Sequence, residues 1–172
     1  MPRRRRYSLP QLAVYSKLQI YFRPALIPAE LRSLILFDRK AFHQFPGDWF
    51  DPAKWRHFQS WWLLLGARKI GCCAFEPHVP SRRALYIAST AILPAFRGQG
   101  FGSLLKSWQI SYARHHGFTR LVTHTRASNR ALIALNEKFG FKKIRRLAGY
   151  YGNPPEPAIV MELKLKRPRR SL

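Results

Sequence analysis

Three glycines alternate in the segment GQGFG at residues 98–102, between an apolar segment of β type and a segment of helical type. The first segment, residues 83–93, ends before Pro94, and the second, residues 103–117, has apolar residues at helical spacing and a closing glycine. Glycine allows a sharp turn, and the N–H groups at a helix start can bind an oxyanion together. The pattern therefore predicts a strand, a phosphate-binding turn and a helix in direct succession.

Two better-known glycine-rich motifs do not fit. The dinucleotide fingerprint G-x-G-x-x-G requires an acidic residue about 20 positions later, whereas this chain has G-x-G-x-G and no Asp or Glu from Pro77 to Asn136. The P-loop requires a glycine followed by lysine, a pair that the sequence lacks. A turn that only caps the helix is the structural alternative, although one glycine would be enough for it.

The charge balance favours anionic partners. The 172 residues include 31 Lys and Arg against 8 Asp and Glu, a formal net charge of +23. Such a surface attracts phosphates, nucleic acid, anionic membranes or acidic proteins, and charge alone does not choose among them. The acid-free window favours an anionic ligand over a metal site or a carboxylate dyad, so no metal is expected. Its basic residues include Arg82, Arg83, Arg97, Lys106, Arg114, Arg120, Arg126 and Arg130.

The composition predicts one domain with basic ends. We expect a basic, partly disordered tail at residues 1–17, a folded domain at residues 18–166 and a basic tail at residues 167–172. No apolar run approaches the ~18–20 residues of a membrane helix, and no cleavage site follows the basic N-terminus. We therefore expect a cytoplasmic protein without a membrane span. The adjacent Cys72 and Cys73 are expected to be small strand residues rather than parts of a disulfide framework or metal site.

The hydrophobic pattern predicts eleven elements in the order βααβββαβαββ, with no internal repeat. Strands are expected at residues 17–24, 59–65, 69–76, 83–93, 119–126, 141–151 and 158–165. Helices are expected at residues 28–42, 51–58, 103–117 and 128–140.

The glycine turn and a second motif together resemble a known family. Arg97-x-x-Gly100-x-Gly102 after a strand, followed by a further strand and NRALIALNEKFGF at residues 129–141, resembles the GNAT superfamily of acetyl-CoA-dependent N-acetyltransferases. The resemblance implies a single α/β domain with a mixed, mostly antiparallel sheet, a splayed central strand pair and flanking helices. It also implies acetyl-CoA as co-substrate, with contacts from Ile92, Leu93, Arg97, Gly98, Gln99, Gly100, Phe101, Gly102, Ser103 and Asn129.

Within that family the C-terminal third is similar to the protein N-terminal acetyltransferases, in particular the bacterial ribosomal-protein-alanine type. The similarity lies in RASN at residues 126–129, YY at residues 150–151 and EPAIVMEL at residues 156–163. It implies that Tyr150 and Tyr151 contact the acceptor, with Phe45 and Trp49 on the opposite wall. An aromatic pair that only packs a strand end is the alternative.

Acetyl transfer to an amine requires a base, because only the unprotonated nitrogen can attack the thioester. Where the bacterial branch of the family usually has a glutamate, this chain has His124, as some eukaryotic members do. An imidazole is a competent base near neutral pH. Glu76, acting through water, is the alternative base, and a purely structural His124 also remains open.

The departing thiolate needs a proton, and here the chain departs from the family pattern. Many members have a tyrosine where this chain has Asn136, which helical spacing places on an inward stripe with Leu132 and Leu135. Asn136 can hydrogen-bond the co-substrate, but an amide is no general acid at neutral pH. Tyr150, Tyr151 or water would supply the proton instead.

The sequence therefore predicts direct acetyl transfer from acetyl-CoA to a primary amine, and the resemblance implies that this amine is a protein N-terminal α-amine. Acetylation of a small amine, such as an amino acid, polyamine or antibiotic, is the alternative within enzymes. A basic module that contacts the ribosome or nucleic acid through its arginine-rich tails is the alternative of another class.

Overall fold

A computed structural model describes residues 19–44, 52–78, 83–152 and 154–165. All eleven expected elements are present in the expected order. The strands are β1 (Ile20–Pro24), β2 (Gln59–Leu65), β3 (Arg68–Pro77), β4 (Ala84–Ile92), β5 (Arg120–Arg126), β6 (Lys142–Gly152) and β7 (Pro155–Lys164). The helices are α1 (Leu31–Ala41), α2 (Pro52–His57), α3 (Phe101–His115) and α4 (Arg130–Lys138). The expected tails at residues 1–17 and 167–172 lie outside the described residues.

The strands form one seven-stranded sheet in the order β1-β2-β3-β4-β5-β7-β6. Among the strands that the structure describes, β4 and β5 are the one parallel pair, and the other neighbours are antiparallel. This arrangement confirms the predicted mixed, mostly antiparallel sheet. The β4–β5 connection is the crossover that carries the glycine turn and α3, as a parallel pair requires.

The parallel pair separates halfway along its length. Ala84–Ile87 pair with Arg120–Thr123, and the ladder between β4 and β5 ends there. Beyond that point β4 stays paired with β3 up to Ile92, while β5 stays paired with β7 up to Arg126. The predicted splayed strand pair is thus confirmed, and it leaves a gap in the middle of the sheet.

A β-bulge lies where the gap begins. Ala74 pairs with Ser89 and the next residue, Phe75, pairs with Ile87, so Ala88 is the extra residue in β4. Bulges bend a strand and re-aim its side chains. The Ser89 hydroxyl donates a 2.5 Å hydrogen bond to the buried carboxylate of Asp38 in α1, which connects the bulge to that helix.

Each face of the sheet has its own apolar core. One core packs α3 and α4 on the sheet and contains Leu105, Trp108 and Ile133. The other packs α1 and α2 on the opposite face and contains Leu34 and Trp55. In α1 the buried residues recur every three or four positions, which is why this helix presents one side to the sheet.

The cysteines are strand residues, as predicted. Cys72 and Cys73 are free and fully buried in β3, one in each core. Burial raises the pKa of the Cys73 thiol to about 12, so it is not a thiolate at neutral pH. Among the described residues, no helix has both the length and the apolar composition to cross a membrane.

Candidate functional site

The glycine turn has the backbone geometry that the sequence predicts. Gly98 has a φ of +74°, and Gly100, the N-cap of α3, has a φ of +90°. A Cβ at either position would meet nothing within 4 Å, so the left-handed backbone and not crowding requires glycine. At Gly102 a Cβ would lie 3.4 Å from Leu135 Cδ2, so α4 packs directly beside this position. The amides of the first α3 turn, including Gly102 and Ser103, lie at a helix end suited to an oxyanion.

The side chain of Arg97 points back into the fold. Its Nε donates a 3.1 Å hydrogen bond to the carbonyl of Ile92, and a terminal nitrogen donates to the carbonyl of Ala41. Partial burial lowers the pKa of Arg97. The guanidinium thus joins the end of β4, the end of α1 and the glycine turn. A direct contact between Arg97 and a pyrophosphate stays a prediction.

The backbone of Ile92 and Leu93 is already hydrogen-bonded within the chain. The Leu93 N–H donates to the Ile70 carbonyl at 3.1 Å, and the Leu93 carbonyl accepts from the Phe96 N–H at 2.9 Å. A carbonyl oxygen can accept a second hydrogen bond. The predicted contacts of these two residues with the co-substrate therefore stay predictions.

Buried polar atoms line the α3 side of the gap. The Thr123 hydroxyl donates to the Ile87 carbonyl at 3.1 Å, at the last point where β4 and β5 are paired. Further along this side, three buried oxygens have no hydrogen-bond partner among the described residues: Gln109 Oε1, Thr125 Oγ1 and Asn136 Oδ1. Since buried polar atoms normally have partners, these acceptors suit the N–H groups of a ligand in the gap.

The structure gives Asn136 and Asn129 different roles. Asn136 is fully buried, as the helical stripe predicted, and its Nδ2 lies 3.6 Å from Met161 Sδ. Asn129 is the N-cap of α4, and its side chain accepts a 3.2 Å hydrogen bond from the Leu132 N–H. The Asn129 side chain is therefore engaged in holding the start of α4, and its predicted place beside the co-substrate is untested.

The glycine turn makes a first prediction testable. Gly100→Ala forces a non-glycine residue into a left-handed conformation, which costs about 1–2 kcal/mol, and we expect the turn to relax and acetyl-CoA to bind at least tenfold more weakly. Calorimetric titration measures the affinity of each variant for acetyl-CoA. Gly66→Ala in the β2–β3 turn is the matched control, because its φ is +58° and a Cβ there also meets nothing within 4 Å. Equal weakening in both variants would reject the turn as the binding element.

On the other face of the sheet, three side chains from three strands meet beside the gap. His124 of β5 places Nδ1 2.8 Å from the Tyr150 hydroxyl of β6. The ring of Tyr86 in β4 lies 5.1 Å from the His124 ring, edge to face. Tyr86 projects to this side because its neighbours Leu85 and Ile87 belong to the core beneath α3. We call these three residues the acceptor cluster.

The surroundings shift the pKa values of His124 and Tyr86 in opposite directions. Burial, together with the nearby His78 and Arg145, lowers the pKa of His124, so its imidazole is neutral at pH 7. Burial, the neighbouring tyrosines and a hydrogen bond with Tyr150 raise the pKa of Tyr86, so its hydroxyl stays protonated. The cluster therefore combines one proton acceptor, the His124 imidazole, with a Tyr86 hydroxyl that keeps its proton and can donate it in a hydrogen bond.

The structure distinguishes the two tyrosines that the sequence predicts as a pair. Tyr150 is 47% exposed and contacts His124, so it can touch both the base and an incoming acceptor. Tyr151 is half-buried, with the Arg126 guanidinium 4.3 Å above its ring. Arg126 is itself held by Glu156 at 2.9 Å and by the Pro154 carbonyl at 3.1 Å. Tyr151 is thus part of the support that fixes the β6–β7 hairpin beside β5.

Glu76, the alternative base, lies one strand further from His124. It pairs across the β3–β4 ladder with Tyr86 and is one cause of the raised pKa of that tyrosine. It is therefore a neighbour of the cluster and stays an alternative. The predicted acceptor wall residues Phe45 and Trp49 lie outside the described residues.

Tyr86 is the member of the acceptor cluster that the sequence did not indicate. It stands between Leu85 and Ile87 in a strand, where an aromatic residue has no distinctive pattern. Its role depends on the register in which Tyr86 pairs with Val122, two positions before His124. The one signal in the sequence was that side chains alternate between the two faces of a strand, which places Tyr86 on the face opposite to Leu85 and Ile87.

Comparison with known proteins agrees with this geometry. A model of the Acetyltransferase (GNAT) family matches residues 28–141. N-alpha-acetyltransferase 30 of Schizosaccharomyces pombe is 31% identical over 102 residues, which cover 58% of this chain and 67% of the relative. The alignments with curated relatives cover 46% to 67% of the relatives' length, so the chain spans about half to two thirds of them.

Two solved structures share the fold. The crystal structure of the ribosomal-protein-S18-alanine N-acetyltransferase from Escherichia coli has a TM-score of 0.73 at 20% identity, covering 90% of this chain and 99% of that chain. A chain in the crystal structure of the NatC complex bound to Gag peptide and CoA also has a TM-score of 0.73 at 20% identity, covering 86% and 99%. At these identities the likeness establishes the fold alone.

Proposed function

Because the chain belongs to the GNAT family of acetyltransferases, we propose that it transfers the acetyl group of acetyl-CoA to the α-amine of a protein N-terminus. The observation that supports this most is the acceptor cluster, in which His124 contacts both Tyr150 and Tyr86 beside the gap in the sheet. The glycine turn and the start of α3 lie on the other side of that gap. An amine and a thioester can therefore meet from opposite faces of the sheet.

The residues present fit acetyl-CoA. The N-terminus of α3, with its glycines, suits the pyrophosphate. The unpartnered oxygens of Thr125, Gln109 and Asn136 suit the amide N–H groups of a pantetheine arm in the gap. When bound, acetyl-CoA supplies a thioester whose carbonyl carbon an amine can attack.

We propose His124 as the base. As the acceptor nitrogen forms a bond to the carbonyl carbon it must lose a proton, and a neutral imidazole can take it. The proton reaches Nδ1 through the Tyr150 hydroxyl, which lies 2.8 Å away, or through a bound water. Tyr86, held in its protonated form, orients the acceptor nitrogen or the water by hydrogen bonding.

The departing sulfur takes its proton from water. The C–S bond breaks with its electron pair on sulfur, and the thiolate is a good leaving group because the pKa of its thiol is only about 8.5. Asn136 cannot serve as an acid, and both tyrosines of the hairpin lie with His124 or Arg126 on the acceptor face. A covalent route through cysteine is disfavoured, because burial raises the pKa of both Cys72 and Cys73.

Three observations favour a peptide as acceptor. The half-exposed Tyr150 can cover an extended chain, the Tyr151–Arg126–Glu156 contacts hold the hairpin that carries it, and relatives are named N-alpha-acetyltransferases. A small amine is the alternative substrate, although a net charge of +23 repels polyamines. The domain proposed for this activity spans residues 18–166, and its proposed location is the cytoplasm, where new protein N-termini arise.

A competition assay tests the acceptor class. The enzyme is given acetyl-CoA and an equimolar mixture of three acceptors. The first is a peptide with a free N-terminal alanine and no lysine, the second is a peptide with a blocked N-terminus and one internal lysine, and the third is spermidine. We expect mass spectrometry to show acetylation of the α-amine at least a hundredfold faster than of the other two amines. Faster acetylation of spermidine or lysine would reject the N-terminal assignment.

A further inference from the structure

A concentration of positive charge lies on the outer edge of the sheet. β6 ends the strand order, and its residues Lys142, Lys143, Arg145 and Arg146 are all exposed. Lys138, at the end of α4, is also exposed and is four residues away in sequence. We call these five residues the basic strip.

Most of the strip is not neutralised within the protein. Among the described residues, Lys143 pairs with Glu137 at 2.9 Å, while the other four members of the strip make no ion pair. The nearby acids are engaged elsewhere: Glu156 with Arg126 and Glu162 with Arg120. The local excess of positive charge is therefore available to an external anion.

The strip leads to the acceptor cluster. Arg145 pairs with Val160, and Val160 pairs with His124, so these side chains share one face of the sheet. Arg145 lies close enough to His124 to help lower its pKa. Further along the same strand stands Tyr150. A partner on the strip would therefore lie beside the opening through which an acceptor enters.

We propose that the basic strip binds the phosphate backbone of RNA and so holds the acceptor cluster next to an RNA-containing particle. A repeated row of cations on both faces of an edge strand matches a polymer with repeated phosphates, and arginine binds phosphate in a bidentate manner. A membrane surface fits less well than RNA, because a membrane-binding segment needs several exposed apolar residues, and among the described residues between Lys138 and Arg146 only Ile144 is an exposed large apolar residue. That the RNA brings protein N-termini to this face rests on the proposed function, whereas the binding itself does not.

The test compares two full-length variants that each lose four positive charges. The strip variant is Lys138→Gln, Lys142→Gln, Arg145→Gln and Arg146→Gln. The control is Arg32→Gln, Arg39→Gln, Lys40→Gln and Arg114→Gln, all exposed positions away from β6. Binding of a fluorescein-labelled 20-nucleotide oligouridine is measured by anisotropy at several salt concentrations, with circular dichroism to confirm folding.

We expect the strip variant to bind at least tenfold more weakly at low salt, and its slope of log K against log salt to fall by about 3. The control should stay within about threefold of the parent protein. Equal losses of RNA affinity in both variants, or no loss in the strip variant, would overturn the proposal. A strip variant that loses binding to phosphatidylserine vesicles but keeps its RNA binding would overturn it as well. Acetylation of a free peptide by the parent protein is a separate readout, so RNA binding without acetyl transfer would reject the proposed function and leave the strip intact.

Discussion

Replacing His124 with glutamine is expected to lower kcat/KM for an N-terminal peptide by about 10²–10⁴-fold. Glutamine can still hydrogen-bond Tyr150, but it cannot accept a proton, so the variant separates the base from a merely structural contact. The measurement is the rate of CoA release with acetyl-CoA saturating and peptide varied. Calorimetry on the variant should show unchanged acetyl-CoA binding, because His124 lies on the acceptor face.

The pH profile provides the second readout for His124. In the parent protein we expect activity to fall on acidification as the imidazole becomes protonated, below its ordinary pKa of about 6.5, because burial lowers the pKa of His124. The peptide amine adds a second rise near pH 8. In the glutamine variant the acidic limb should disappear and the amine limb should remain. An unchanged rate and profile would reject His124 as base, and Glu76→Gln would then be examined as the alternative.

Replacing Lys106 with methionine is expected to stabilise the protein by about 2–4 kcal/mol at pH 7. Lys106 in α3 is fully buried, and its ammonium nitrogen has no hydrogen-bond partner among the described residues. Its one compensation is the Phe141 ring, whose centroid lies 5.2 Å from Nζ. Burial lowers the pKa of Lys106 to about 7, so the folded protein holds a buried amine that gives up its proton more readily than the same lysine in the unfolded chain.

The pH dependence of this effect has a definite sign. The lysine pKa is depressed in the folded state, so the unfolded chain binds the additional proton as pH falls from about 10 to about 7, and the parent protein loses stability in that window. Below about pH 7 the loss is complete and constant. The stability gap between Lys106→Met and the parent protein should therefore be small at pH 10 and largest at or below pH 7.

Urea unfolding at several pH values measures the gap between Lys106→Met and the parent protein. Lys40→Met, at an exposed position on α1, is the matched control and should change stability by less than about 0.5 kcal/mol. A Lys106→Met protein less stable than its parent at pH 7, or a gap that does not vary with pH, would contradict the account of this lysine.

The elements of the fold could be predicted because each depends on short-range pattern. The glycine turn and the stripe of α1 predicted their structures, and the hydrophobic pattern predicted β4 and β5. The gap between β4 and β5 was predicted only through the resemblance, because nothing in either strand marks the residue where pairing stops. The inward position of Asn136 also followed from helical spacing, and its full burial confirms that reasoning.

The site could be predicted only in part because its contacts join distant positions. Tyr86 meets His124 through a parallel register that no local pattern encodes. The predicted contact of Arg97 with a phosphate stays a prediction. Its hydrogen bond to the Ala41 carbonyl could not be predicted, because that acceptor lies 56 residues away and every residue type carries a carbonyl. Lys106 was counted among the basic residues of the acid-free window that favour an anionic ligand, whereas it is buried, because α3 packs against the sheet on more than one stripe.

The most direct test of the central claim is a crystal structure of the protein with CoA joined through an acetyl linker to the nitrogen of a short peptide. We expect the pyrophosphate at the N-terminus of α3, the linker in the gap between β4 and β5, and the peptide nitrogen within about 2.6–3.2 Å of Tyr86, Tyr150 or a water that contacts His124. A peptide bound on the face opposite to the acceptor cluster, or a CoA moiety bound away from the glycine turn, would contradict the proposed reaction.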